Sequence, residues 1–218
     1  MSDSEPRRSV VLTIDAEHPD RPGHQAGTCA SMLASLRSSS VRAMFFLQGR
    51  WVSAHPELAR EIVESGHLVG SHSHFHAEMP LLSEQGQMAD ILAAQQAIES
   101  VVGVDPRPWF RSPFGAGLDD PALNALLAQH GYRNIGWDVD GRDWEEGQTA
   151  AGVEEEIVSG CLAGATPKVV LLHSWPAVAA EALPGILARL LSAGVDFVTL
   201  ADLESQFSPP GQLGKESR

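Results

Sequence analysis

The 218-residue chain carries 28 acidic against 15 basic residues, a formal charge of −13, and Lys168 and Lys215 are its two lysines. That balance leaves no basic patch for phosphate contacts and argues against nucleic acid as a partner. At 43% apolar and 20% charged it has the composition of an ordinary soluble globular protein, and no apolar run approaches the length of a membrane span.

Taken in chain order, periodicity alternates strand and helix. Residues 9–14 are a short β-branched run, read as the first strand. Thr28 caps a helix whose Cys29, Met32, Leu33 and Leu36 share one face. Residues 41–47 make the second strand. The next helix has Pro56 at its first position, Leu58, Ile62 and Val63 inward, and Gly66 as its stop. Residues 67–69 are a brief third strand. Residues 83–102 read as a long helix with Met88, Ile91, Leu92, Ile98 and Val101 inward and Gly103 at its end. Residues 108–110 form the fourth strand, and Asp120 caps a helix that starts at Pro121, buries Leu123, Leu126 and Leu127, and closes before Gly131. Strand 132–137, helix 149–162 and the wholly apolar strand 169–173 follow. Pro184 opens a helix over 184–193, and 195–200 is the seventh strand.

Seven strands separated by helices require crossover connections, hence a parallel sheet. With no dinucleotide glycine fingerprint, the expected architecture is α/β, a single-domain, closed or nearly closed (β/α)7 barrel over residues 9–207. Residues 1–8 are expected to be extended or disordered and 208–218 a flexible tail. The first eight residues hold no apolar stretch of secretory type, so the expected location is cytoplasmic. Cys29 and Cys161 fall on apolar helix faces, where free cysteines behave as small buried hydrophobes and imply no disulfide framework.

A parallel barrel places its functional residues at the C-terminal ends of strands. Strand one ends in Asp15-Ala16-Glu17-His18, and strand three in His72-Ser73-His74-Phe75-His76. Strand four ends in Arg111-Ser112-Pro113-Phe114, strand five runs into Asp138 to Trp144, and strand six ends in Leu171-Leu172-His173. The three clustered histidines point to a divalent metal. In a helical turn His72 and His76 would converge while His74 points away; in a strand all three would share a side. His18, His24, His55, His67 and His130 are read as structural. The sequence His-x-His-x-His lacks the Asp-His pair that a metallo-β-lactamase-type site needs.

These five stretches, in order, resemble the motifs of the polysaccharide deacetylases with the NodB homology domain, carbohydrate esterase family 4. Thr13-Ile14-Asp15-Ala16-Glu17 is similar to the family's Thr-Phe-Asp-Asp-Gly, and His72 to His76 meets its His-Ser/Thr-x-x-His in full. Arg111-Ser112-Pro113-Phe114 resembles Arg-x-Pro-Tyr, Asp140 to Trp144 resembles Asp-x-x-Asp-Trp, and Leu171-Leu172-His173 resembles Leu-x-His. The resemblance implies a zinc-type ion on His72 and His76, with cobalt, nickel or iron as alternatives, and a water activated by Asp15, which Arg111 orients. It implies His173 as the acid, tuned by Asp143, and a substrate pocket of Phe114, Trp144, Leu171 and Asp140. An oxyanion would meet a backbone N–H beside the third motif, at Phe114.

Phe114 stands where the family has tyrosine, keeping the ring without the hydroxyl, and a second departure bears on the metal. The family's metal-binding aspartate is Ala16 here, so the third ligand falls to Glu17, or to His18 or His74. The expected activity is removal of N- or O-linked acetyl groups from a carbohydrate. The alternatives are a catalytically inactive carbohydrate-binding domain and a deacetylase of a small intracellular N-acetyl sugar conjugate.

Overall fold

The computed structural model describes residues 8–18 and 27–207; apart from Arg8, the expected N-terminal segment, the tail and His24 lie outside these. Strand β1 (Ser9–Ala16) shows how the core and the site are built from one alternation. Val10, Leu12, Ile14 and Ala16 face outward into the apolar cluster shared with the helices, while Val11 joins the cluster inside the sheet. Side chains two apart on a strand share a face. Thr13 and Asp15 therefore continue up the inner face from Val11, where both meet Arg111.

The chain continues through α1 (Thr28–Ser38), β2 (Met44–Leu47), α2 (Gly49–Ala54), α3 (Pro56–Glu64), β3 (Leu68–Ser71), α4 (Glu84–Val102) and β4 (Trp109–Phe110). It then forms α5 (Pro121–Gln129), β5 (Arg133–Asn134), β6 (Val139–Asp140), α6 (Ala150–Leu162), β7 (Lys168–His173), α7 (Ala177–Ser192), β8 (Asp196–Phe197) and α8 (Leu200–Phe207). All ladders are parallel, in the order β5-β4-β3-β2-β1-β7-β6, with β8 against the start of β1. This is the expected single-domain (β/α)7-type barrel, curled rather than fully laddered. Its two edge strands, β5 and β6, are consecutive in the chain, so residues 135–138 join covalently the edges that a further ladder would close.

Met44, Phe46, Trp109 and Leu200 fill the bore beneath the site. Gly70 makes room for them: a Cβ there would lie 2.8 Å from the Phe46 ring and 2.9 Å from Trp109 Cβ. Outside, Asp120 caps α5 through the N–H groups of Ala122 and Leu123, and Thr149 caps α6 through Gly152. Cys29 and Cys161 are free and buried, as expected; burial pushes their thiols up to about 12 and about 11. Among the described residues no helix is long and apolar enough to cross a membrane.

Several elements differ from the sequence reading. The strand expected over 132–137 stops at Asn134, and Val139–Asp140, read as loop, is a strand. The strand expected over 195–200 is only Asp196–Phe197, because Leu200 opens α8, and Leu200 and Leu203 pack against the inner cluster. Helix α2 has six residues, too few for a periodic signal. Thr28 is the first residue of α1, with Gly27 in the cap position at φ 97°. Helix α7 begins at Ala177 and runs through Pro184, an interior position that costs about 3 kcal/mol. Six buried residues, Ala179, Ala182, Leu183, Ile186, Leu187 and Leu190, offset that cost. On α4, Met88 and Leu92 are exposed and Asp90 is buried instead, for a reason that lies in the site.

Candidate active site and metal centre

Strand alternation decides where the displaced carboxylate goes. One step beyond β1, Glu17 stays in phase with Asp15 and enters the cavity at the strand ends, while Ala16 is buried among the outer apolar residues. No backward bend of the longer side chain is required. Glu17 Oε2 lies 2.9 Å from His72 Nε2 and 2.5 Å from His76 Nε2. The three residues are buried, and among the described residues they form the one cluster of three candidate donors, one atom from each lying within 4.8 Å of the others.

The histidine segment adopts neither of the two expected backbones. It is a tight loop with Ser73 and His76 at positive φ, 60° and 59°. That shape brings the rings of His72 and His76 to 5.0 Å between centroids, and turns His74 away against Gly49. His74 thereby stays outside the cluster that Glu17, His72 and His76 form. Left-handed non-glycine residues persist only where surrounding contacts hold them. Here the His76 N–H donates to Ser73 Oγ at 3.0 Å, and the N–H groups of His74 and Phe75 donate to the Asp90 carboxylate at 2.7 and 3.0 Å. This use of Asp90 turns the α4 face and exposes Met88 and Leu92.

The donor set fits a divalent cation. His72 Nδ1 lies 2.9 Å from the Arg111 carbonyl, so Nδ1–H donates there and the Nε2 lone pair is left for a metal. Two imidazoles and one carboxylate, with positions open toward a cavity, match the ligand requirements of catalytic zinc. Burial opposes ionisation of Glu17, but hydrogen bonds from His18, His72 and His76 hold its carboxyl well below the usual carboxylate range. Burial lowers the pKa of His76; for His72 the carboxylates of Asp15 and Glu17 outweigh burial and raise it. His18, whose Nε2 is 3.1 Å from Glu17 Oε1, supports the cluster from the side.

Two buried ion pairs flank this cluster. Arg111 is wholly buried; it donates from Nη1 to Asp15 Oδ1 at 2.8 Å and to Thr13 Oγ1 at 2.7 Å, and its guanidinium stacks 4.2 Å over the Phe46 ring. Its other nitrogens donate to the carbonyls of Ile135 and Gly136, 3.2 Å each, pinning the segment that closes the barrel. Asp15 is paired in register with His173 on the adjacent strand β7. His173 Nδ1 donates to Asp143 Oδ1 at 2.7 Å and its backbone N–H donates to Oδ2 at 2.7 Å, so Nε2 carries the remaining ring position.

Asp15, Glu17, His72, His76 and His173 line one cavity of about 390 Å³ together with Phe114, Asp140, Trp144 and Leu171. Asp143 and Arg111 stand behind that lining, each buried. Burial, with Asp143 nearby, raises the Asp140 carboxyl. Sequence reasoning missed Trp137, Trp175 and Asp90 as members of the site. Trp137 lines the cavity 5.6 Å from the Arg111 guanidinium, and the Trp175 indole N–H donates to Glu17 Oε1 at 3.1 Å. Trp175 carried a faint signal, lying two residues beyond His173 at the same strand end.

A curled parallel barrel with this set at the C-terminal strand ends defines the class as the family 4 carbohydrate esterases. The polysaccharide deacetylase family model matches residues 2–135, and the chain belongs to that family. It is 31% identical over 210 residues to a peptidoglycan-N-acetylglucosamine deacetylase of Listeria monocytogenes, covering 96% of this chain and 41% of that protein. The chain thus spans about two fifths of that relative's length. The structure resembles a family 4 carbohydrate esterase from Streptomyces lividans in complex with acetate, with TM-score 0.76, 29% identity, and 88% and 93% of the two chains covered. It also resembles a family 4 pseudoenzyme from Bacillus anthracis, with TM-score 0.78, 25% identity, and 90% and 65% covered.

Proposed function

We propose that the protein is a metal-dependent deacetylase that hydrolyses the acetamide of an uncharged N-acetylated sugar. The observation that carries this reading is the meeting, in one cavity, of the Glu17-His72-His76 donor set with the Asp15–Arg111 and Asp143–His173 pairs. Those three residues would hold a divalent ion, zinc or alternatively cobalt, nickel or iron, which would supply Lewis acidity for attack of water on the acetamide carbonyl. Asp15, oriented by Arg111, accepts the proton of that water. The Phe114 N–H meets the developing oxyanion. His173 then passes its proton to the departing nitrogen. Trp144 and Leu171 wall the acetyl group, and Asp140 receives a sugar hydroxyl.

The lining supports a neutral substrate. Among the described residues no lysine or arginine lines the cavity, whereas the rings of Phe114, Trp137, Trp144 and Trp175 do. Sugar faces stack on such rings, and no lysine or arginine side chain is there to select an acidic sugar. A non-catalytic glycan-binding role is the second reading, favoured by the likeness to a pseudoenzyme. The test is metal content of protein prepared without chelator, followed by acetate release from N-acetylglucosamine oligomers and from small N-acetyl sugar conjugates, each with and without EDTA. Stoichiometric metal and EDTA-sensitive acetate release support catalysis. Absence of both on every substrate supports the binding role.

The acid has its own pH signature. Burial works against charging His173, but the Asp143 carboxylate, helped by Glu17 and Asp15, raises its pKa to about 9. A folded pKa above the free imidazole's, about 6.5, means that this pair's stabilisation is whole below that pH and lost as pH rises through about 9. The protonated acid is lost over the same upper range. Asp143→Asn should move the basic limb of kcat/KM down toward the ordinary imidazole range and lower kcat at pH 8. An unmoved limb would remove His173 as the acid.

A further inference from the structure

The two oxygens of Glu17 have different surroundings. Oε2 faces His72 Nε2 and His76 Nε2 at 2.9 and 2.5 Å, while Oε1 faces Trp175 Nε1 and His18 Nε2, each at 3.1 Å. An indole nitrogen is a donor only; it has no lone pair to offer a metal and no second role to switch into. A glutamate has one more rotatable bond than an aspartate, so a ligand displaced by one residue and lengthened by one carbon needs restraint that the shorter side chain does not. Trp175 supplies a fixed donor at the oxygen turned away from the imidazoles.

We propose that Trp175 is a positioning residue for the metal centre: its indole N–H, with His18 beside it, holds Glu17 Oε1 so that Oε2 alone is presented between His72 and His76. One-oxygen binding keeps the remaining coordination positions for water and substrate, which two-oxygen binding would partly consume. Trp175 also follows His173 by two residues, with their rings 6.3 Å apart between centroids. The segment that carries the acid is thereby tied to the metal ligand. This inference rests on Glu17 being a ligand, the reading given above.

The experiment measures zinc affinity of the full chain by competition with a chromophoric chelator, without substrate, and records the visible spectrum of the cobalt form. Two variants are compared with wild type: Trp175→Phe, and Trp175 replaced by benzothienylalanine, which keeps the bicyclic shape and deletes the N–H. Loss of such a supporting hydrogen bond should weaken zinc about 10- to 100-fold in both, with apo melting temperatures near wild type for the isosteric variant. The cobalt absorption should fall in intensity as the released Oε1 joins the coordination sphere. Wild-type affinity and an unchanged cobalt spectrum in the isosteric variant would overturn the proposal, leaving Trp175 as a cavity wall. If wild type itself binds no zinc or cobalt, the ligand reading fails first. If Glu17→Ala loses zinc while the isosteric variant keeps it, only the positioning role fails.

Discussion

Glu17→Gln is expected to lower zinc affinity by more than about 100-fold, beyond the range typical of losing a supporting residue, and to lower acetate release in parallel at stoichiometric metal. The substitution keeps the shape and one acceptor oxygen but removes the charge that faces both imidazoles. Its amide would also bring N–H donors into a cluster already supplied with donors by His18 and Trp175. Excess metal should restore part of the activity, because Asp15 and His173 are untouched. The apo protein gives a second readout. The folded pKa of Glu17 is depressed, so its stabilisation is present above the usual carboxylate range and lost as pH falls through the folded value. In Glu17→Gln the melting temperature should be lower at neutral pH and flatter toward acid. Wild-type zinc affinity in this variant would take Glu17 out of the coordination sphere.

Four of the motifs were legible in the sequence because they close apolar strands, and a parallel barrel sends all such ends to one face; Asp140 to Trp144, which begins inside the two-residue β6, was legible from its place in the motif order. The pairs Asp15–Arg111 and Asp143–His173 are separated by 96 and 30 residues, yet motif order placed them. What sequence could not give was the loop shape between His72 and His76, which depends on left-handed Ser73 and His76 and on Asp90, a carboxylate that periodicity assigns to the solvent face. Nor could it choose among Glu17, His18 and His74. The place of Glu17 beside the two imidazoles follows from the phase of β1, which a local reading treated as ending at Ile14. The short strands β5, β6 and β8 have two residues each, too few to alternate, so their boundaries were lost. Pro184 misled for a different reason: helix α7 accepts its cost because its face is already committed to the core.

Asp15→Asn should separate chemistry from metal binding. Asp15 Oδ1 accepts from Arg111 and Oδ2 lies 3.6 Å from His72 Nε2, outside the three-residue donor set. An asparagine fills the same space but cannot take a proton, so kcat should fall by about 10²- to 10⁴-fold while zinc affinity stays near wild type. Stability should fall as well, because Arg111 is wholly buried and loses its countercharge, a change that typically costs about 3–5 kcal/mol. The remaining contacts of Arg111 to Thr13, Ile135 and Gly136 are to neutral groups and do not replace it. The double variant Asp15→Asn/Arg111→Met resolves the two effects. Removing both charges of a buried pair is often close to neutral, so the melting temperature should recover substantially while kcat stays low. Recovery of activity along with stability would mean that Asp15 serves the fold and that another group takes the proton. A kcat within tenfold of wild type in Asp15→Asn alone would lead to the same conclusion.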